Sequence, residues 1–302
     1  MQGSASSLGG LPVTIVNACL RDGDGGSPTA VLLDADLTDS DRRAIPSLAG
    51  TSHAVFVSTR PESAEVSLRF FTATGELPAC GHGTVAALAY LAGDSGLRAD
   101  AGALRFTVST AAAEFPGRAG RHEVVDGATN RVGRFVEASF VPGPVTLREP
   151  SRSECWDVVR SLGGSPDVDP ICVATLGRAR LLARVPSRSA LGTLSPDFDK
   201  LRAACDRLDL LGCYVYCEAD TEGRAAARMF APSIGVPEDI ANANSTACLA
   251  SYMAGRGTTT LAVDMGDSLG SPATITTSFH PTESGPQLHV GGSTTIGRVI
   301  HL

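Results

Sequence analysis

The sequence predicts an α+β protein built from two similar domains, each a curved, mostly antiparallel sheet wrapped around one buried helix. Three observations carry this. Residues Thr84–Gly93 read TVAALAYLAG and Thr246–Gly255 read TACLASYMAG, so Thr, Tyr, Ala and Gly recur at matching places without a gap. Self-similarity of that kind marks a duplicated unit. Both segments are apolar nearly all round, the pattern of a helix enclosed by its fold. The runs around them are short, β-rich and separated by turns.

In chain order the strand-like runs are VTIVNACL, TAVLLDA, HAVFVST, LRFTVST, RFVEASFV, ARLLARV, CYVYCEA, TTLAVDM, ATITTSF and QLHVGG. Two further runs, SAEVSLRFF and GRAAARMFA, close on matching pairs, Arg69-Phe-Phe and Arg228-Met-Phe. Each pair leads through a Gly- and Pro-containing loop into one apolar helix, expected to end at a glycine cap, Gly93 or Gly255. Outer amphipathic helices fit Thr38–Ala49, Ser151–Leu162 and Asp197–Leu208, with Thr38 and Ser151 as N-caps. The Gly- and charge-rich stretch Phe115–Arg134 reads as the crossover. The halves are therefore expected at 11–134 and 135–286, with 287–302 returning to the first. Chance likeness between two alanine-rich helices is the competing reading, and the paired Arg-x-Phe sequences weigh against it.

Of 302 residues, 43% are hydrophobic and 19% charged, enough material for a core. The net charge is −7, without a basic cluster, and Lys200 is the only lysine. Nucleic acid and anionic membrane are thereby excluded as expected partners. No apolar run approaches the roughly 18–20 residues of a membrane helix. Met1–Gly10 lacks the pattern of a secretion signal, so a cytoplasmic location is expected. The eight cysteines are scattered without CxxC pairs. They read as reduced packing residues, and no metal is expected.

The chemistry is expected where each loop enters its helix. In the first half this is Glu76-Leu-Pro-Ala-Cys80-Gly81-His82-Gly83-Thr84, and in the second Glu238-Asp239-Ile-Ala-Asn242-Ala-Asn244-Ser245. Small residues leave first-turn N–H groups accessible, and unpaired amides at the positive end of a helix bind anions. A small carboxylate between the halves is the natural ligand, held by Gly81, Gly83, Thr84, Asn242, Asn244 and Ser245. His82 suits proton exchange, Cys80 at a helix start is placed for a lowered thiol pKa, and Asp239 can orient or polarise. The competing readings stay open: Cys80 as packing, His82 as structural, Glu238 and Asp239 as first-turn dipole partners.

At these residues the sequence resembles the PhzF-like proteins, within the superfamily of diaminopimelate epimerases and proline racemases. The resemblance begins at Val13-Thr-Ile-Val-Asn17 and a Gly-Gly-Ser-Pro28 turn. It is strongest in Glu76-x-Pro-x-Cys-Gly-His-Gly-Thr84. It continues through Arg228-x-Phe-Ala-Pro-x-x-Gly235-x-x-Glu238-Asp239 and ends at Val290-x-Gly292 and Gly297. It implies a barrel-like sheet around a central helix in each domain, acid/base chemistry with no cofactor and no metal, a site between the domains, and a homodimer. Three departures stand out. His53, in Ser52-His53-Ala54, occupies the place of the family's catalytic Glu. The family's Ala-Thr-Gly-Ser becomes Ala241-Asn-Ala-Asn244. Ala243 lies where a racemase's second cysteine is expected.

The expected function is an isomerase that moves a proton, and with it a double bond, on a small unsaturated carboxylic or amino acid. Antibiotic biosynthesis, with a 4-alkylproline-type pathway as one branch, is the context the resemblance implies. His53 is the expected proton carrier, near its unperturbed pKa of about 6.5, with His82, Asp239 and Cys80 the other catalytic candidates. A non-catalytic small-molecule binding protein and an amino-acid racemase or epimerase are the alternatives.

Overall fold

A computed structural model describes residues 8–60, 63–94, 103–125, 132–163, 168–219 and 223–302. The chain divides into two compact units, Met1–Phe140 with Gly291–Leu302, and Val141–Val290.

In the first unit β1 is Pro12–Ala18, β2 Ser27–Leu33, α1 Asp39–Ala49, β3 His53–Thr59, β4 Glu65–Thr72, β5 Gly75–Leu77, α2 Gly81–Asp94, β6 Leu104–Ser109, β7 Glu114–Val125 and β8 Val132–Phe140. β1 lies antiparallel to β2, β2 parallel to β3, β3 antiparallel to β4 and β4 parallel to β6. β6, β7 and β8 follow as an antiparallel meander. The C-terminal strand, residues 285–301, pairs with both β8 and β1 and closes the ring. The sheet thus becomes a barrel, which removes its edges. Val85, Ala86, Ala87, Leu88 and Ala89 of α2 are fully buried. A helix of such small side chains fits where a bulkier one would clash.

The second unit holds β9 Thr146–Arg148, a short α3 Val159–Ser161, β10 Asp169–Leu176, β11 Arg178–Arg184, α4 Arg188–Gly192, α5 Phe198–Arg207, β12 Leu210–Cys217, β13 Arg224–Ala231, β14 Val236–Asp239, α6 Ala243–Ala254, β15 Thr260–Met265, β16 Ala273–Thr282 and the start of β17, Gly285–His301. Its pairing repeats the first: β11 parallel to β12, β12 antiparallel to β13, β13 parallel to β15 across α6, β15 antiparallel to β16. The duplication read from two helices extends to strand order and direction.

Several expectations are corrected. Phe115–Arg134 is no crossover: most of it lies in β7 and β8, which pair from Gly117↔Phe140 onward, while 126–131 lies outside the described residues. Gly117 and Ala119 are buried, Arg118 is exposed, and Arg121, on the inward face, donates to the Ala92 and Gly93 carbonyls at the end of α2. That alternation belongs to a half-buried strand. Because β8 pairs with β7, the first boundary moves from 134 to 140, and the return begins at 291 rather than 287. Gly93 is no cap, because α2 runs through it to Asp94; a Cβ there would meet the end of the Ile296 side chain, which is partly exposed and has to turn aside to admit it. Gly255 caps α6 in a right-handed conformation. The Ser151–Leu162 segment is wound partly as a π-helix over Glu154–Val158. Thr38 and Asp197 cap α1 and α5 through their side chains, Thr38 in a reciprocal capping box with Asp41. All eight cysteines are free. Among the described residues no helix is long and apolar enough to cross a membrane.

Candidate functional site

The two helix starts are built alike. Arg69 on β4 holds Glu76 on β5 through Nε–Oε1 and Nη2–Oε2 contacts of 2.8 and 2.7 Å. Arg228 on β13 holds Glu238 on β14 through the same atoms at 2.8 and 2.7 Å. The guanidinium carbons lie 5.0 Å from the Phe71 ring and 4.8 Å from the Phe230 ring. From each glutamate the chain runs four residues to the helix cap. The Cys80 carbonyl accepts from Thr84 N and Oγ1, both at 2.9 Å. The Asn242 carbonyl accepts from Thr246 N and Oγ1 at 3.0 and 3.1 Å. Cys80 and Asn242 are therefore equivalent caps. Counted from the glutamates, Asn242 is the internal counterpart of Cys80 and Asn244 that of His82.

In the first unit three expected side chains meet. His53 opens β3, His82 is the second residue of α2, and Cys80 precedes that helix. They are 2%, 2% and 6% exposed. The His53 and His82 rings lie edge to face, 4.5 Å between centroids and 85° between planes. Cys80 Sγ is 3.6 Å from His82 Nε2. Ser52 Oγ lies 2.8 Å from His53 Nδ1, which leaves Nε2 as the nitrogen for proton transfer. Burial, and then the neighbouring His82, hold the His53 pKa well below 6.5. The expected titration near the unperturbed value is thus corrected: His53 is neutral at pH 7, in the form that accepts a proton. Gly81, Gly83 and Thr84 belong to the first turn of α2.

In the second unit the other expected residues gather at α6. Asp239 is buried at the end of β14. Asn242 Nδ2 donates to its Oδ2 at 3.0 Å, while Asn242 Oδ1 accepts from Ser245 N at 2.9 Å. The Ser245 hydroxyl turns inward to Met229 Sδ at 3.5 Å. Asn244 is half-buried. His53, His82 and Cys80 belong to one unit and Asp239, Asn242, Asn244 and Ser245 to the other.

Sequence reasoning missed two features. One is the pairing of each Arg-x-Phe arginine with the next glutamate, although both Glu76 and Glu238 were visible in the echo. The other is Ser52, whose signal was only its adjacency to His53.

Duplicated sheet-and-helix units with histidine and thiol groups at a buried helix start are the architecture of small-molecule isomerases that the sequence resemblance implied. The chain belongs to the PhzC–PhzF family, described as phenazine biosynthesis-like protein, whose model matches residues 17–297. It is 26% identical over 234 residues to an uncharacterized isomerase of Clostridium acetobutylicum, covering 76% of this chain and 74% of that one. It is 28% identical over 233 residues to the trans-2,3-dihydro-3-hydroxyanthranilate isomerase of Pseudomonas aeruginosa, again covering 76% and 74%. The fold is shared with a Bacillus anthracis phenazine biosynthesis protein of the PhzF family, at a TM-score of 0.77 and 19% identity over 97% of this chain and 98% of that one. The chain is an isomerase of this family.

Proposed function

We propose that the protein shifts a proton, and with it a double bond, on a small unsaturated carboxylic or amino acid, without a cofactor, in secondary-metabolite biosynthesis. The observation that carries this reading is the neutral, buried His53 ring against His82 at the first turn of α2. His53 Nε2 takes a proton from an acidic C–H, and the electron pair left behind spreads into the conjugated double bond and the carboxylate. First-turn amides of α2 stabilise that charge. The proton returns to a different carbon from His53 or His82, so the product is an isomer and nothing is oxidised or reduced. Asp239, Asn242 and Asn244 stand at the corresponding helix start of the second unit, with Asp239 as its candidate polariser. The homodimer is its assembly, checked by light scattering. A Pseudomonas relative named for isomerising a dihydro-hydroxyanthranilate supports an unsaturated, carboxylate-bearing substrate.

The test is deuterium wash-in from D2O, read by NMR on trans-2,3-dihydro-3-hydroxyanthranilate and on unsaturated cyclic amino acids of the 4-alkylproline type. Exchange with a displaced double bond is the expected result. Exchange at one carbon with inversion would make the protein an epimerase. Ligand binding without exchange across the panel would make it a binding protein.

A further inference from the structure

We propose that His53, Cys80 and His82 form a binding site for one thiophilic divalent cation of the zinc type. One ligand atom from each side chain lies within 4.8 Å of the other two, and all three residues are buried. Zn–S and Zn–N bonds of about 2.3 and 2.0 Å at a tetrahedral angle span a sulfur–nitrogen edge of about 3.5 Å. Cys80 Sγ and His82 Nε2 are 3.6 Å apart. His53 supplies the third donor, its ligand atom within 4.8 Å of the other two.

The donor set decides the metal class. One soft sulfur and two imidazoles select zinc, cobalt(II) or copper over the oxygen-seeking magnesium and calcium. The thiol proton leaves to solvent as the metal binds. Ser52 Oγ at His53 Nδ1 is the outer partner that aims the opposite nitrogen at a metal. Three protein ligands leave a fourth position open. Spacing concealed this site: Cys80-x-His82 supplies two donors, and the third comes from the start of β3, a position where the resembling proteins carry a glutamate. Metal and proton compete for the same His53 lone pair. Zinc therefore stops isomerisation, a consequence that rests on the acid/base reading, whereas metal binding does not.

The experiment uses the full chain, stripped with a chelator and titrated with Co2+ as a spectroscopic replacement for Zn2+. We expect one Co2+ per chain, a sulfur-to-cobalt charge-transfer absorption, and displacement by Zn2+. Cys80→Ser abolishes the absorption, and His53→Ala and His82→Ala weaken binding by more than about tenfold. The His280–His289 pair, exposed at His280 and half-buried at His289, with ring centroids 4.6 Å apart, is the internal rival for metal; the His280→Ala/His289→Ala double variant leaves the absorption unchanged. X-ray absorption of the zinc-loaded wild-type chain, which needs no variant, shows one sulfur ligand. The site is overturned if the wild-type chain gives no charge-transfer absorption, if Cys80→Ser retains it, or if zinc is ligated by nitrogen and oxygen alone.

Discussion

Arg228 and Glu238 repeat, to within 0.1 Å on both hydrogen bonds, the contact that Arg69 makes with Glu76 in the other half of the chain. Their surroundings differ. Both side chains of the first pair are 33% exposed, whereas those of the second are 12% and 9% exposed. Arg228 also donates to the Leu191 and Leu194 carbonyls, and Ser268 donates to Glu238.

The two clamps therefore differ in what their loss costs. An exposed pair contributes under about 1 kcal/mol, while removing one partner of a buried pair strands the other charge at about 3–5 kcal/mol. Glu76→Gln is expected to shift the denaturant midpoint little, and Glu238→Gln to lower it strongly. Equal shifts would contradict this reading.

His53→Ala is expected to reduce turnover by roughly 10²–10⁴-fold, the range of a positioned acid/base group, with the thermal midpoint retained. His53→Glu restores part of the rate, since burial raises a carboxylate's pKa toward neutrality. Near wild-type exchange in His53→Ala would assign the proton to Cys80 or Asp239.

Gly83 is packed where a side chain has no room. A Cβ would lie 3.0 Å from Cys80 Sγ, 3.0 Å from Val55 Cγ2 and 3.1 Å from Phe70 Cδ1. Alanine gains up to about 1 kcal/mol of helix propensity, against an overpacking cost of about 1–3 kcal/mol. Gly83→Ala is expected to be net destabilising by calorimetry, and to move Cys80 enough to lower activity.

Glu154 makes stability depend on acid. Arg148, on both carboxylate oxygens, outweighs burial, and with Ser151 holds its pKa at about 2 instead of 4.5. A depressed carboxylate stabilises fully above its unfolded pKa and loses that contribution as pH falls through 4.5 toward 2. Urea denaturation of wild type and Glu154→Gln should differ by about 2 kcal/mol at pH 7 and converge near pH 2. A constant difference would assign the effect to packing.

The sequence by itself determined the duplication, the two buried helices, most strands and three of the side chains at the first helix start. The helices and strands are local properties, since apolar periodicity and turn chemistry can be read within a window of a few residues; the duplication is one such window recurring in another, and His53 was placed by the family resemblance. Tertiary structure decided what depends on residues far apart in the chain. Strand pairing made Phe115–Arg134 part of a barrel wall, since only neighbouring strands distinguish a Gly-rich strand from a loop. The helix α2 ran one residue past Gly93, to Asp94, where the sequence placed a cap. Burial beside His82 depressed the His53 pKa, and the fold brought His53 within reach of the Cys80 thiol, a proximity set by parallel pairing of β3 on one side and the entry of α2 on the other.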